Sequence, residues 1–316
     1  MEYSLVVKEV TKELGTKTIL NDISFSVKKG EIFGIIGMSG SGKTTILHHL
    51  IGFLEPDKGQ ILYAPRKGAD LKSLSNDFVA ARKMFGFSPQ RPSFYPQLTV
   101  DENLSYFGGL YRLSKKQIKE NADRYLDITE LSNHRTKLAS ELSGGMQRRL
   151  SIACSLMHDP SVLILDEPTS DLDPVLREQM WNLIREINTS GTTIVVASHF
   201  LEELERVSST IAILQNGKII KQGDMHSLRK AFIDGTQEIT ITVHSNKEAK
   251  SIATMVKRSA TKVEVRDQKV IIQTKRPYAL MTRLTGLAQR GKIKASGLDL
   301  HDPTLREVFY EVAKNR

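Results

Sequence analysis

The stretch Gly37-Met38-Ser39-Gly40-Ser41-Gly42-Lys43-Thr44-Thr45 constrains this chain more than any other. It fills the pattern G-x-x-x-x-G-K-[ST] between an apolar run, Ile32-Phe33-Gly34-Ile35-Ile36, and a helix-like run, Ile46-Leu47-His48-His49-Leu50. Strand, glycine-rich turn and helix N-terminus together form a phosphate cradle. The glycines let the backbone close on an anion, and the helix adds its positive end. In such a loop Lys43 reaches the β- and γ-phosphates and the Thr44 hydroxyl ligates Mg²⁺. A nucleotide phosphate is the expected ligand.

Further stretches follow in order. Phe85 to Gln90 reads as a short strand ending in a glutamine, and Thr99 with Glu102 forms a capping box that opens a helical region. Residues 114–131 read as a charged helix with Ile118, Ala122, Tyr125 and Leu126 on one face. Leu142-Ser143-Gly144-Gly145-Met146-Gln147 precedes an amphipathic helix. That string reads either as a second anion site at a helix N-terminus or as a plain helix cap. Ser161 to Pro168 runs from a continuous apolar strand into Asp166 and Glu167. Such runs indicate parallel strands covered on both faces. An acid at the end of one suits Mg²⁺, and Glu167 could orient or deprotonate water. Thr192 to His199 is another buried strand; a lone histidine at its end is usually structural, but its place after the other elements favours a functional reading.

Phosphate loop, glutamine, LSGGMQ, Asp-Glu and Ser-His, in this order over residues 4–230, resemble the ATP-binding cassette (ABC) ATPases. The resemblance implies an α/β fold: a phosphate-loop core with an antiparallel β subdomain and a helical subdomain at about 91–160. Residues 1–234 would form this ATP-binding domain. It makes Gly37 to Thr45 the Walker A loop, Gln90 the Q-loop glutamine and Leu142 to Gln147 the signature. Val162 to Asp166 become Walker B, Glu167 the catalytic glutamate, Ser170 to Asp173 the D-loop and His199 the switch histidine. It implies hydrolysis of ATP with Mg²⁺ held by Thr44, Gln90 and Asp166, with His199 sensing the γ-phosphate. Ser143, Gly144 and Gly145 would cap ATP bound by a second subunit, a homodimeric copy or a close paralogue paired head to tail. Two positions depart from the family pattern. Leu14 stands where an aromatic residue usually stacks on adenine, and Asp171 where a small residue is commoner.

Residues 235–316 alternate as strand, helix, two strands, helix and strand, which predicts a small α+β domain. This tail, and Pro303 to Phe309 within a capped final helix, is similar to the C-terminal extension of daunorubicin-resistance-type exporter ATPases. That implies a cytoplasmic ATPase, peripheral on the inner face of the membrane and docked on a separate integral membrane permease. Two alternatives are an ABC importer ATPase and a soluble ABC ATPase acting on ribosomes or nucleic acid. The latter usually carry two cassettes or a long coiled-coil insertion, and neither is present, so nucleic acid is not the expected partner. The short tail argues against the larger sugar-import kind.

Composition adds bounds. No run approaches the roughly 18 apolar residues of a membrane span, and no secretory leader is legible at the start. The lone Cys154 has no partner for an internal disulfide and sits in an apolar helical stretch, which predicts buried packing. Of the net charge of +9, residues 235–316 carry +8. Those charges are scattered, so they read equally as a solvated surface or as an attraction to anions.

Overall fold

The computed structural model describes residues 2–65, 69–228 and 237–301. The chain divides into two compact units, Met1–Asp224 and Met225–Arg316. The expected boundary at 234/235 lies outside the described residues.

The first unit opens with a long hairpin, β1 (Tyr3–Leu14) and β2 (Lys17–Lys28), turned at Gly15 with φ 62°. β4 (Lys58–Tyr63) pairs antiparallel with β1, and β5 (Lys72–Ser73) pairs with β4. Residues 64–77 read from sequence as a surface excursion. Part of that segment instead adds the short fourth strand of this sheet, where buried Leu74 donates its N–H to the Ile61 carbonyl.

The second sheet comprises β3 (Ile32–Ile36), β6 (Phe85–Ser88), β7 (Val162–Asp166), β8 (Thr193–Ser198), β9 (Thr210–Gln215) and β10 (Lys218–Gly223). Its order is β10-β9-β3-β8-β7-β6, parallel except for β10. Every residue of β3, β7 and β8 is buried, as their unbroken apolar runs require. The main core forms where the two sheets and α1 (Lys43–Leu50) meet. There Phe25 stacks on Phe33 at 5.1 Å, and Ile46, Leu47 and Leu50 turn inward.

After the short α2 (Phe78–Ala81), helices α3 (Val100–Leu110), α4 (Lys115–Ile128) and α5 (Gly144–Leu156) occupy the middle of the unit. The Thr99–Glu102 capping box is present, and Ser143 caps α5 by accepting from the Met146 N–H. Cys154 is buried in α5, where burial pushes its thiol up. α6 (Pro174–Thr189) follows β7, and α7 (Leu201–Val207) follows β8.

The second unit is an antiparallel sheet with two helices: β11 (Gln237–Val243), α8 (Asn246–Val256), β12 (Lys262–Arg266), β13 (Lys269–Thr274), α9 (Pro277–Gln289) and β14 (Ala295–His301). Its strand order is β12-β13-β11-β14, over a core of its own that includes Ile239, Ile241, Ile252, Ile272 and Leu284. The expected final helix at 301–309 lies outside the described residues. No helix among the described residues is long and apolar enough to cross a membrane.

Candidate functional site

The sequence-predicted residues gather at the carboxyl ends of the parallel strands, where open α/β sheets bind ligands. β3 runs directly into the phosphate loop, β6 leads to Gln90, β7 ends at Asp166 and β8 is followed by His199. Register places Ile36 beside Ser198 and Asp166 beside Ala197, so loop, carboxylates and histidine share one edge.

The loop geometry explains its glycines. At Gly37 a Cβ would lie 2.5 Å from the Leu214 carbonyl oxygen and 2.3 Å from Ser41 Oγ. Gly40 and Gly42 have φ of 77° and 107°, the left-handed region that favours glycine. Ser41 donates its N–H to the Met38 carbonyl, closing the turn, and its buried hydroxyl has no protein partner. Met38, Ser39 and Gly40 face outward, and Lys43, Thr44 and Thr45 begin α1.

Lys43 is 8 % exposed. Its Nζ donates to the Gly37 carbonyl at 2.8 Å and lies 3.3 Å from Glu167 Oε1. The other Glu167 oxygen, Oε2, accepts from His199 Nδ1 at 2.7 Å and from the His199 backbone N–H at 3.2 Å. Glu167 is thus a nearly buried carboxylate bridging the loop lysine and the histidine, at a φ of 49°. The next residues keep it there: its N–H donates to the Ala197 carbonyl, and its own carbonyl accepts from the Ser170 hydroxyl at 3.0 Å.

The Thr44 hydroxyl donates to Asp166 Oδ2 at 2.8 Å, while Asp166 Oδ1 is buried without a partner. Burial raises the Asp166 carboxyl above its ordinary value, the neighbouring Glu167 pushes the same way, and the Thr44 hydroxyl opposes. A hydroxyl and an orphaned carboxylate oxygen at the mouth of a phosphate loop fit a hard, oxygen-seeking cation such as Mg²⁺. No group of three His, Cys, Asp or Glu residues that could hold a metal occurs among the described residues.

Gln90 is exposed two residues beyond β6, on the same edge, and no hydrogen bond joins it to Thr44 or Asp166. Ser143, Gly144 and Gly145 lie at the start of α5, and no hydrogen bond links them to residues 37–45. Asp173 caps α6, and Asp171 has a φ of 64°, a conformation that Asp tolerates better than most residues.

Two side-chain networks behind the site were not legible in sequence. Arg148, 4 % exposed, donates to the Pro89 carbonyl at 2.8 Å and to Ser170 Oγ at 3.2 Å, tying the glutamine loop to the segment after Glu167. Burial lowers the Arg148 pKa, and Asp171 and Asp166 act against that. Second, Glu203 Oε2 accepts from Thr169 Oγ1 at 2.9 Å and from Trp181 Nε1 at 2.7 Å, while Oε1 lies 3.5 Å from Arg177. Arg177 donates to the Leu172 carbonyl and covers the ring of Phe200, the neighbour of His199. The LSGGMQ string and the Asp-Glu pair hinted at the elements involved, but no local signal marks Glu203.

Comparison with known proteins matches this geometry. The profile of the ABC transporter family matches residues 20–170. The chain is 34 % identical to the Nod factor export ATP-binding protein I of Rhizobium sp. (strain N33), over 95 % of this chain and 93 % of that one. This chain is an ABC-family ATPase. It is also 31 % identical to the linearmycin resistance ATP-binding protein LnrL of Bacillus subtilis (strain 168), over 96 % of each chain. Among solved structures, the ATP-binding subunit of an ABC transporter aligns with a TM-score of 0.64 at 28 % identity, over 72 % of this chain and 93 % of that one. The dimeric ATP-binding cassette MJ0796 bound to ADP and Pi aligns with a TM-score of 0.61 at 28 % identity, over 70 % and 98 %. As an ABC ATPase the chain binds and hydrolyses ATP, and relatives that match nearly its whole length include an export and a resistance ATP-binding protein, in agreement with the daunorubicin-type resemblance.

Proposed function

We propose that this ABC ATPase energises export through a separate integral membrane permease on the inner face of the cell membrane, with Glu167 as its general base. The observation that carries the catalytic part is the position of Glu167 between Lys43 Nζ and His199 Nδ1 at the strand ends. The export reading is supported by the Nod factor export and linearmycin resistance relatives, which match nearly the whole chain.

ATP lies with its phosphates in the cradle of Gly37 to Thr45, and Lys43 leaves the loop carbonyls to bridge the β- and γ-phosphates. Thr44, Asp166 and Gln90 would hold Mg²⁺, which would supply charge neutralisation on the phosphate oxygens. For Glu167 to take a proton from water, it gives up its present partners, Lys43 and His199. Release from Lys43 is the natural exchange, since that lysine is drawn to phosphate. Water then attacks the γ-phosphorus in line while Glu167 receives its proton. His199, freed from the same carboxylate, donates to the γ-phosphate and registers its loss. Ser143, Gly144 and Gly145 complete the nucleotide site of a second subunit, so ATP joins two copies and hydrolysis parts them.

The test is Glu167→Gln, which keeps the shape but removes the base. ATP binding stays within about twofold, turnover falls about a hundredfold or more, and ATP traps a dimer. Near-normal turnover overturns the catalytic assignment. Co-purification of the tagged chain from native membranes tests the transport part. A polytopic membrane protein retained after detergent extraction supports it, and ribosomes or nucleic acid without a membrane subunit overturn it.

A further inference from the structure

Part of the positive charge of the C-terminal unit, scattered in sequence, meets in space. One cavity of about 490 Å³ opens within that unit and brings together Arg258, Lys275, Arg276 and Arg283, and no carboxylate among the described residues lines it. The cations come from three elements: the 3₁₀ turn Lys257–Ser259, the end of β13 with the residues after it, and the first two turns of α9. Hydrogen bonds pin these elements together. Buried Thr274 donates to the Ser259 carbonyl at 2.9 Å, the Arg276 backbone N–H donates to Thr274 Oγ1 at 3.2 Å, and Arg283 Nη1 donates to Ser259 Oγ at 3.1 Å.

Mutual repulsion among Arg258, Arg276 and Arg283 around one concavity has a cost unless an anion offsets it. Arginine forks are matched in shape to phosphate oxygens, which they grip bidentately. α9 adds to the field, since its N-cap residue Arg276 makes no side-chain cap and its first turn points to the same wall through Ala279 and Leu280. The volume lies within the range of small-ligand sites and exceeds what one inorganic phosphate fills.

We propose that this cavity binds a phosphate-bearing anion with two or more negative charges, at a site separate from the ATP-binding residues. The same chemistry is offered by a free phosphorylated metabolite and by the headgroup of an acidic phospholipid. The site gives the basic tail a specific ligand in place of diffuse attraction.

Inorganic pyrophosphate is the probe for the free anion, titrated calorimetrically into the full chain carrying Lys43→Ala, which weakens the competing grip of the phosphate loop. Arg258→Gln/Arg276→Gln is compared in the same background; it spares the Arg283–Ser259 bond, so the fold is retained, as melting temperature verifies. Saturable binding weakened about tenfold or more by the pair supports the free-anion source. Vesicles of phosphatidylcholine with and without phosphatidic acid, whose phosphomonoester headgroup can carry two charges, form the second arm. Retention only on vesicles with phosphatidic acid, lost in the glutamine pair and without saturable pyrophosphate binding, supports the headgroup source. An Arg258→Lys/Arg276→Lys pair keeps most of whichever binding is seen, because charge is preserved. Binding in neither arm, or binding unchanged by the glutamine pair, overturns the proposal. Neither arm depends on ATP turnover, so this result is separate from the fate of Glu167.

Discussion

Leu14 ends β1 one residue before the Gly15 turn and is exposed, at the position where the family resemblance puts adenine. An aliphatic side chain there forfeits ring stacking, so Leu14→Tyr is expected to tighten ATP binding by about two- to tenfold, and to widen the preference for ATP over GTP. Competition titrations with both nucleotides check this. A second residue gives a pH signature. His158 stacks on Tyr111 at 3.6 Å between ring centroids, and its Nε2–H donates to the Phe85 carbonyl at 3.1 Å. Its buried Nδ1 has no partner, and burial lowers its pKa to about 4. The folded protein therefore holds this ring neutral while the unfolded chain protonates it near 6.5. Its contribution is fully present above that value and is lost as pH falls from there towards 4. Stability should decline by up to about 1.4 kcal/mol per pH unit across this window from this group alone. Denaturant melts of the wild type and His158→Phe check it: the variant keeps the aromatic stack and flattens the slope.

The elements around the site are coupled through Glu203 on α7. It receives hydrogen bonds from Thr169, just past Glu167, and from Trp181 on α6, and it faces Arg177. Glu203→Ala strands these donors without touching nucleotide directly. We expect kcat to fall about tenfold while ATP affinity stays within about twofold, because the change loosens the Glu167 and His199 segments rather than the loop. Steady-state kinetics with a parallel binding titration separate the two. This network also marks the limit of what sequence discloses. The phosphate loop, the unbroken apolar strands and the caps at Thr99 and Ser143 were legible because each is a local pattern: a spacing, a run or a side chain three residues from its partner. Arg148 and Glu203 instead meet groups 22 to 59 residues away, through pairings that leave no periodic trace. β5 escaped notice for another reason. Two residues, Lys72 and Ser73, carry no alternation, although they pair with Tyr63 and Leu62 of β4 beside the buried Leu74. The excess charge of the tail was countable, but not the convergence of part of it on one cavity.

For the whole molecule, the proposed head-to-tail pairing makes a complete nucleotide site from the phosphate loop of one chain and the LSGGMQ string of another. Ser143→Arg places bulk and charge at that junction, so it should abolish the ATP-dependent dimer of the Glu167→Gln protein while each monomer still binds ATP. Light scattering after size exclusion, with and without ATP, decides it. The chain also carries its own optical probe. It contains a single tryptophan, Trp181, whose indole N–H donates to the carboxylate that holds Thr169. The emission of the unlabelled protein thus arises from one buried ring wired to the catalytic segment. Any rearrangement that pulls Thr169 from Glu203 alters the polarity and quenching felt by that ring, so stopped-flow fluorescence can time the loops without a dye.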